Sequence, residues 1–287
     1  MFKNYFKIAW RNIIKSRFYS AVNIIGLSTG IAFTLLIAAY IWSELQVNKN
    51  LKNADRQYII QSNWKNPNQG YDLTTLGPLP KALRESYPNL VANYYRFDGI
   101  FAIISKGDKS FREDVAICDS TMLSMYGFSL LYGDAKTAFE GPFSVVITTD
   151  KAIKYFGKTD VVGQTLTIQN FSGSKHDFMI KGVMNMPSKN SVTWLNDNND
   201  NQIYISSNNI SYFGRNMDWP NPHIVGYIEL QKGVTPKDLE KPIAYLVNQN
   251  APPQIAANMS PYLVPLTKYH LSANNGLVKK MLWLKVD

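Results

Sequence analysis

Apolar positions recur at spacings of three and four over Phe2, Phe6, Ala9, Trp10, Ile13 and Ile14, while Lys3, Lys7, Arg11 and Lys15 repeat every four residues on another face. That pattern predicts a basic amphipathic helix over residues 1–17, lying in a membrane interface with its cations toward anionic headgroups. From Phe18 to Ser43 the pattern changes to 26 positions without a charge. Such a run forms a helix of about 39 Å, enough to cross a hydrocarbon core of roughly 30 Å with some tilt. A transmembrane helix is therefore expected over residues 18–46. A cleaved signal peptide fits less well, because its apolar region is only about 7–15 residues long and ends in small residues, whereas Glu44, Leu45 and Gln46 follow here.

After the span the chain alternates short elements of both kinds. Strands are predicted at 56–62, 91–97, 100–105, 111–118, 143–147, 165–169, 178–183, 202–206 and 225–231. The turn Lys106-Gly107-Asp108-Lys109 joins two of them as a hairpin. Helices are predicted at 76–87, ended before Pro88, at 121–126, from a Thr149/Asp150 cap to Phe156 with Gly157 as terminator, and from Thr235-Pro236 to Asn248. The fold class is α+β. The expected organisation is an interfacial helix (1–17), a membrane helix (18–46), a mixed domain of two subdomains (47–270) and the start of a truncated second membrane segment (271–287).

Charge fixes orientation. Lys3, Lys7, Arg11, Lys15 and Arg17 flank the span with no acid among them, which places the amino terminus in the cytoplasm and the rest of the chain outside. The formal net charge of +9 falls to +4 once these five are set aside, so the basic excess is mainly a topology signal. No basic stripe interleaved with aromatics follows, and nucleic acid is not an expected partner. Within the span, Gly26 and Gly30 form a GxxxG that Thr34 and Ala38 continue, and the polar Asn23 lies three residues before it; such a small-residue row is a candidate face for packing another helix.

Chemistry is sparse. His176, His223 and His270 are far apart and none has a second ligand at helical spacing, so no metal site is expected and each reads as a surface or structural histidine. There is no G-x-x-x-x-G-K-[ST]. Asp197, Asn199 and Asn201 imitate the start of a calcium loop, but Gln202 and Asn208 occupy the turn and bidentate positions, which leaves a solvated polar loop. Trp194 and the Asp218-Trp219-Pro220 turn suit core packing better than a binding lip. The single cysteine, Cys118, reads as a small buried hydrophobe. No catalytic group is expected, and the chain is not read as an enzyme.

A series of short motifs nevertheless resembles the permeases of the MacB/FtsX type. Arg11-Asn12, then Asn23-Ile24-Ile25-Gly26-Leu27 with Gly30, resembles the start of the family's first membrane helix, and Glu44-Leu45 with Asn53-Ala54-Asp55-Arg56 and Tyr58 resembles its end. Tyr87-Pro88, Gly127-Phe128, Gly133-Asp134, Ser144 to Thr148, Ala152, Lys154 to Gly157, Gly163, Gly182-Val183, Pro187 and Asn190-Ser191 resemble the periplasmic core domain. One departure is Gln57-Tyr58-Ile59, where the family usually has an Ile-Tyr-Arg run.

The resemblance implies a permease subunit of a mechanotransmitting ABC transporter in the inner membrane. It implies an extracytoplasmic domain moved by a cytoplasmic ABC ATPase, for export or extraction of a substrate. It further implies pairing with another permease half as a homo- or heterodimer, and ATP bound only by the separate partner. Family members continue past the segment like Tyr269–Trp283 into three more membrane helices, so the chain is expected to be a truncated or split permease. From the residues alone, a single-span extracytoplasmic sensor or scaffold is the alternative.

Overall fold

The structure is a computed structural model, and it describes residues 2–66, 70–196 and 199–271. The chain divides into two compact units, Met1–Gln46 and Val47–Asp287. The first holds two helices, α1 (Phe2–Lys15) and α2 (Arg17–Gln46), separated by Ser16. α1 is strongly two-faced, whereas α2 is apolar on every side and has no buried residue. At 30 residues, α2 is about 45 Å long and qualifies by length and composition as a membrane span.

The second unit starts with β1 (Gln57–Trp64), α3 (Leu79–Ser86), β2 (Val91–Lys106), β3 (Lys109–Cys118) and α4 (Thr121–Tyr126). It continues with β4 (Leu130–Gly133), β5 (Ser144–Thr148), α5 (Thr149–Phe156), β6 (Thr165–Gln169) and β7 (Lys175–Met184). The last elements are β8 (Trp194–Asn196), β9 (Asn199–Asp200), β10 (Ile203–Ser206), β11 (Val225–Leu230), α6 (Pro236–Asn250), α7 (Pro253–Asn258), β12 (Met259–Pro265) and α8 (Leu266–Tyr269). Helix and strand mix as an α+β fold.

One ten-stranded sheet runs through the unit in the order β12-β1-β11-β2-β3-β10-β5-β7-β4. β6 pairs with both β7 and β2, so β2-β3-β10-β5-β7-β6 closes on itself as a six-stranded barrel. Alternation fills that barrel. Val115 and Ile117, Val145 and Ile147, Leu166 and Ile168, and Ile203 and Ile205 are all fully buried in one cluster. The other end of the sheet, β12-β1-β11 with the start of β2, carries a second core against α3 and α6 through Ile60, Leu79, Leu83, Ile228, Leu239 and Ile243. The opposite face buries Ile59, Tyr95, Phe97 and Tyr227 under α4 and α8. The two expected subdomains thus share one sheet, with β2 running through both.

Several expectations meet corrections. The strands expected at 91–97 and 100–105 are one 16-residue strand, because Asp98-Gly99 makes no turn and pairs in register with Ile117 and Ala116. The cap of α5 is Thr148, whose hydroxyl accepts from the Lys151 N–H, and not Thr149 or Asp150. α3 begins at Leu79, later than 76. β12 carries Pro261 and Pro265 and was not expected as a strand; it lies at the sheet edge, where proline costs no ladder bond on the open side. The Lys106–Lys109 hairpin is as expected, with Gly107 at φ 56°, and Thr235 caps α6 with a capping box to Asp238. Trp219 packs against the core beneath α3 and α6. The 271–287 tail, Leu271 apart, lies outside the described residues, as do Asp197 and Asn198 of the acidic loop; the backbone either side of that loop pairs as the β8–β9 hairpin.

Candidate functional site

The first residues of the second unit are built into it. Val47 and Leu51 are buried, and between them Asn48 takes φ 68°, the left-handed conformation that asparagine tolerates better than other side chains. Asn48 is 1% exposed. Its amide nitrogen donates to Ser191 Oγ at 3.0 Å and to the Leu266 carbonyl at 2.6 Å, and its amide oxygen accepts from the Ser191 N–H at 2.6 Å. One side chain therefore joins the segment that follows α2 to the loop before β8 and to the start of α8.

That loop is itself held in shape. The Asn190 side-chain oxygen accepts from the Val192 and Thr193 N–H groups, and its nitrogen donates to Thr193 Oγ1 and the Ser188 carbonyl. The Ser191 carbonyl accepts from the Tyr227 hydroxyl at 2.9 Å, which ties the loop to β11. Tyr227 belongs to an aromatic cluster with Tyr95 and Tyr126, ring centroids 5.6 to 6.1 Å apart.

A few residues on, the same segment is pinned to β11 and to the end of α4. Asn53, at φ 53°, donates to Glu229 Oε1 at 2.8 Å, and Arg56 pairs with the same carboxylate at 3.2 Å. The Gln57 amide donates to the Met125 carbonyl at 2.9 Å, and the Lys52 N–H donates to the Tyr126 carbonyl, both at the end of α4. Residues 47–57 are thus bonded to β11, α4, the 188–193 loop and α8. The Asn48 and Gln57 bonds to Ser191, Leu266 and Met125 are buried, and those of Asn53 and Arg56 are part-buried.

Of the residues singled out in the sequence, Lys3, Lys7, Arg11 and Lys15 fall on α1 at one-turn spacing and are exposed, and Arg17 is the first residue of α2. Asn23, Gly26, Gly30 and Thr34 line one shallow groove along α2; Ala38 continues the row beyond it. Among the described residues, and apart from the helix's own backbone and the chain neighbours, no atom lies within 4 Å of where a Cβ on Gly26 or Gly30 would stand. Thr34 donates its hydroxyl to the Gly30 carbonyl at 2.8 Å, so its polar group is satisfied inside the helix. Of the histidines, His176 stacks on Phe143, His223 Nε2 lies 3.6 Å from Asp98, and His270 is buried. Among the described residues no cluster of His, Cys, Asp or Glu has metal-binding spacing. Cys118 is fully buried in the core, where burial pushes its thiol pKa up.

The profile of the MacB-like periplasmic core domain matches residues 20–245. The chain belongs to that family. A domain assigned to a permease of Porphyromonas gingivalis shares its fold with a TM-score of 0.60 at 18% identity, over 75% of this chain and 91% of that one. The periplasmic region of MacB from Actinobacillus actinomycetemcomitans aligns with a TM-score of 0.52 at 12% identity, over 82% and 95%. The extracellular domain of the noncanonical ABC-type transporter YknZ, from Gram-positive bacteria, aligns with a TM-score of 0.50 at 12% identity, over 72% and 99%. The sequence has no significant match among curated proteins. Asn190 and Ser191 lie within the matched range; Asn48, the partner of Ser191, carried no signal beyond an asparagine shortly after an apolar run.

Proposed function

We propose that this chain is the membrane-anchored part of a permease of the MacB type. α1 lies at the cytoplasmic face, α2 crosses the inner membrane, and the domain from Val47 stands outside. A separate cytoplasmic ABC ATPase moves α2, and the pinned segment 47–57 passes the motion to the sheet, for export or extraction of a substrate. The row Asn23, Gly26, Gly30, Thr34 packs on another permease helix, from a second copy or from a related half. The observation that carries this reading is the extent of the family match: it begins at Ser20 inside α2 and ends inside α6, so the membrane helix and the domain are matched as one pattern.

Co-purification tests it. The full chain, cross-linked in cells and purified through an affinity tag, should bring down a P-loop ATPase; recovery of none above the level of an unrelated single-span protein would overturn the proposal.

A further inference from the structure

A polar cleft of about 420 Å³ opens on the barrel side of α3, with β2, the residues following β3, the 136–141 loop and the segment after β10 as its walls. Its volume falls in the range of roughly 300–1,000 Å³ typical of small-molecule sites. Arg96, 9% exposed, forms its floor. The guanidinium makes a bidentate pair with Asp119, Nε at 2.8 Å and Nη2 at 3.0 Å, and Nη1 donates to the Gly77 carbonyl at 3.0 Å.

Asp119 also accepts from the Ser207 hydroxyl at 3.2 Å, so its carboxylate is occupied by the protein. Of the five N–H donors of the Arg96 guanidinium, those bonds use three. The Lys136 ammonium also lines the cleft and has no ion-pair partner among the described residues; Lys81 has only a 3.7 Å contact with Glu85 on the surface of α3. The Ser120 and Tyr94 hydroxyls line it as well, without a partner for their protons among the described residues. Only Glu140, exposed, offers a free carboxylate.

The groups left over in this cleft are thus mostly donors, two of them cationic, around an arginine fixed by its own carboxylate. We propose that the cleft binds a small anion bearing a carboxylate or a phosphate, with Lys136 and Lys81 meeting the charge and Arg96, Ser120 and Tyr94 donating to the oxygens. The inference rests on the cleft alone and does not depend on the proposed permease role.

Isothermal titration of the full chain in neutral detergent, at constant ionic strength, tests it with citrate, inorganic phosphate and glycerol 3-phosphate as probes. Saturable binding of at least one is expected. A preference for citrate assigns a carboxylate, a preference for inorganic phosphate a free phosphate, and a preference for glycerol 3-phosphate a phosphorylated headgroup. Lys136→Glu and Lys81→Glu, both at exposed positions that the fold does not need, should each weaken binding about tenfold, the effect of reversing one near charge. Lys158→Glu, outside the cleft, should leave binding unchanged. No saturable binding of any probe, or equal weakening by Lys158→Glu, overturns the proposal.

Discussion

Replacing Asn48 with alanine removes the amide that ties the first residues of the domain to the 188–193 loop and to α8. Three bonds are lost, two to Ser191 and one to Leu266. The Ser191 N–H and the Leu266 carbonyl are left buried without it, at about 1–3 kcal/mol each. Alanine at φ 68° adds roughly 1–2 kcal/mol of backbone strain. The expected cost is therefore about 3 kcal/mol or more, which raises local opening by a factor on the order of 100. Asn48→Gly should recover roughly 1 kcal/mol of that, since glycine accepts the left-handed backbone but restores no bond. Ser191→Ala keeps the N–H bond and should cost under about 1 kcal/mol. Hydrogen exchange read by mass spectrometry on the full chain separates these outcomes. Exchange should rise in 47–52, 188–193 and 266–270 together in Asn48→Ala, with the barrel strands unaffected. Unchanged exchange in the 188–193 loop would refute the idea that Asn48 clamps it.

Acid should weaken the domain in a defined window. Burial raises the pKa of Asp98, but the His223 ring 3.6 Å away and the two hydrogen bonds from Arg215 outweigh it and hold the carboxyl below its ordinary range; for Glu113, burial is outweighed by Lys151, Lys154 and Tyr155. Depressed carboxylates stabilise above their unfolded pKa, so thermal stability should hold down to about pH 4 and fall below it, with a shallower fall in Glu113→Gln. Gly133→Ala should destabilise by about 2 kcal/mol or more, since Gly133 sits at φ 98° and a Cβ there meets the Lys181 carbonyl oxygen at 2.3 Å; a thermal melt within a degree of the parent protein would contradict it. Gly26→Leu with Gly30→Leu should weaken helix association by about 1 kcal/mol in an in-membrane assay while insertion persists, and unaltered association would leave these glycines facing lipid.

Patterns tied to local chemistry were legible in the sequence, and pairings across long separations were not. The uncharged run after Arg17 announced α2, Gly157 announced the end of α5, and Thr235-Pro236 announced the start of α6. Barrel closure was hidden because it depends on β6 meeting β2 across some sixty residues, and Thr167 and Ser105 look like ordinary strand residues until they pair. Asp98-Gly99 read as a break because acid followed by glycine usually turns the chain; Arg215, 117 residues away, is what allows the carboxylate to be buried mid-strand. The same holds at the candidate site. Asn48 and Ser191 lie 143 residues apart, and nothing near either one in sequence points to the other.

The central claim, that α2 crosses the membrane with the domain beyond it outside, is tested most directly by cysteine accessibility. Cys118 is fully buried and its thiol pKa is raised, so the native protein should be silent toward a maleimide and serve as the background. Single cysteines are introduced at exposed Lys175, in β7, and at Lys7, in α1. With a membrane-impermeant maleimide on intact spheroplasts, the account predicts labelling of the Lys175→Cys variant at once and of the Lys7→Cys variant only after the inner membrane is permeabilised. Labelling of Lys175→Cys only after permeabilisation would contradict it.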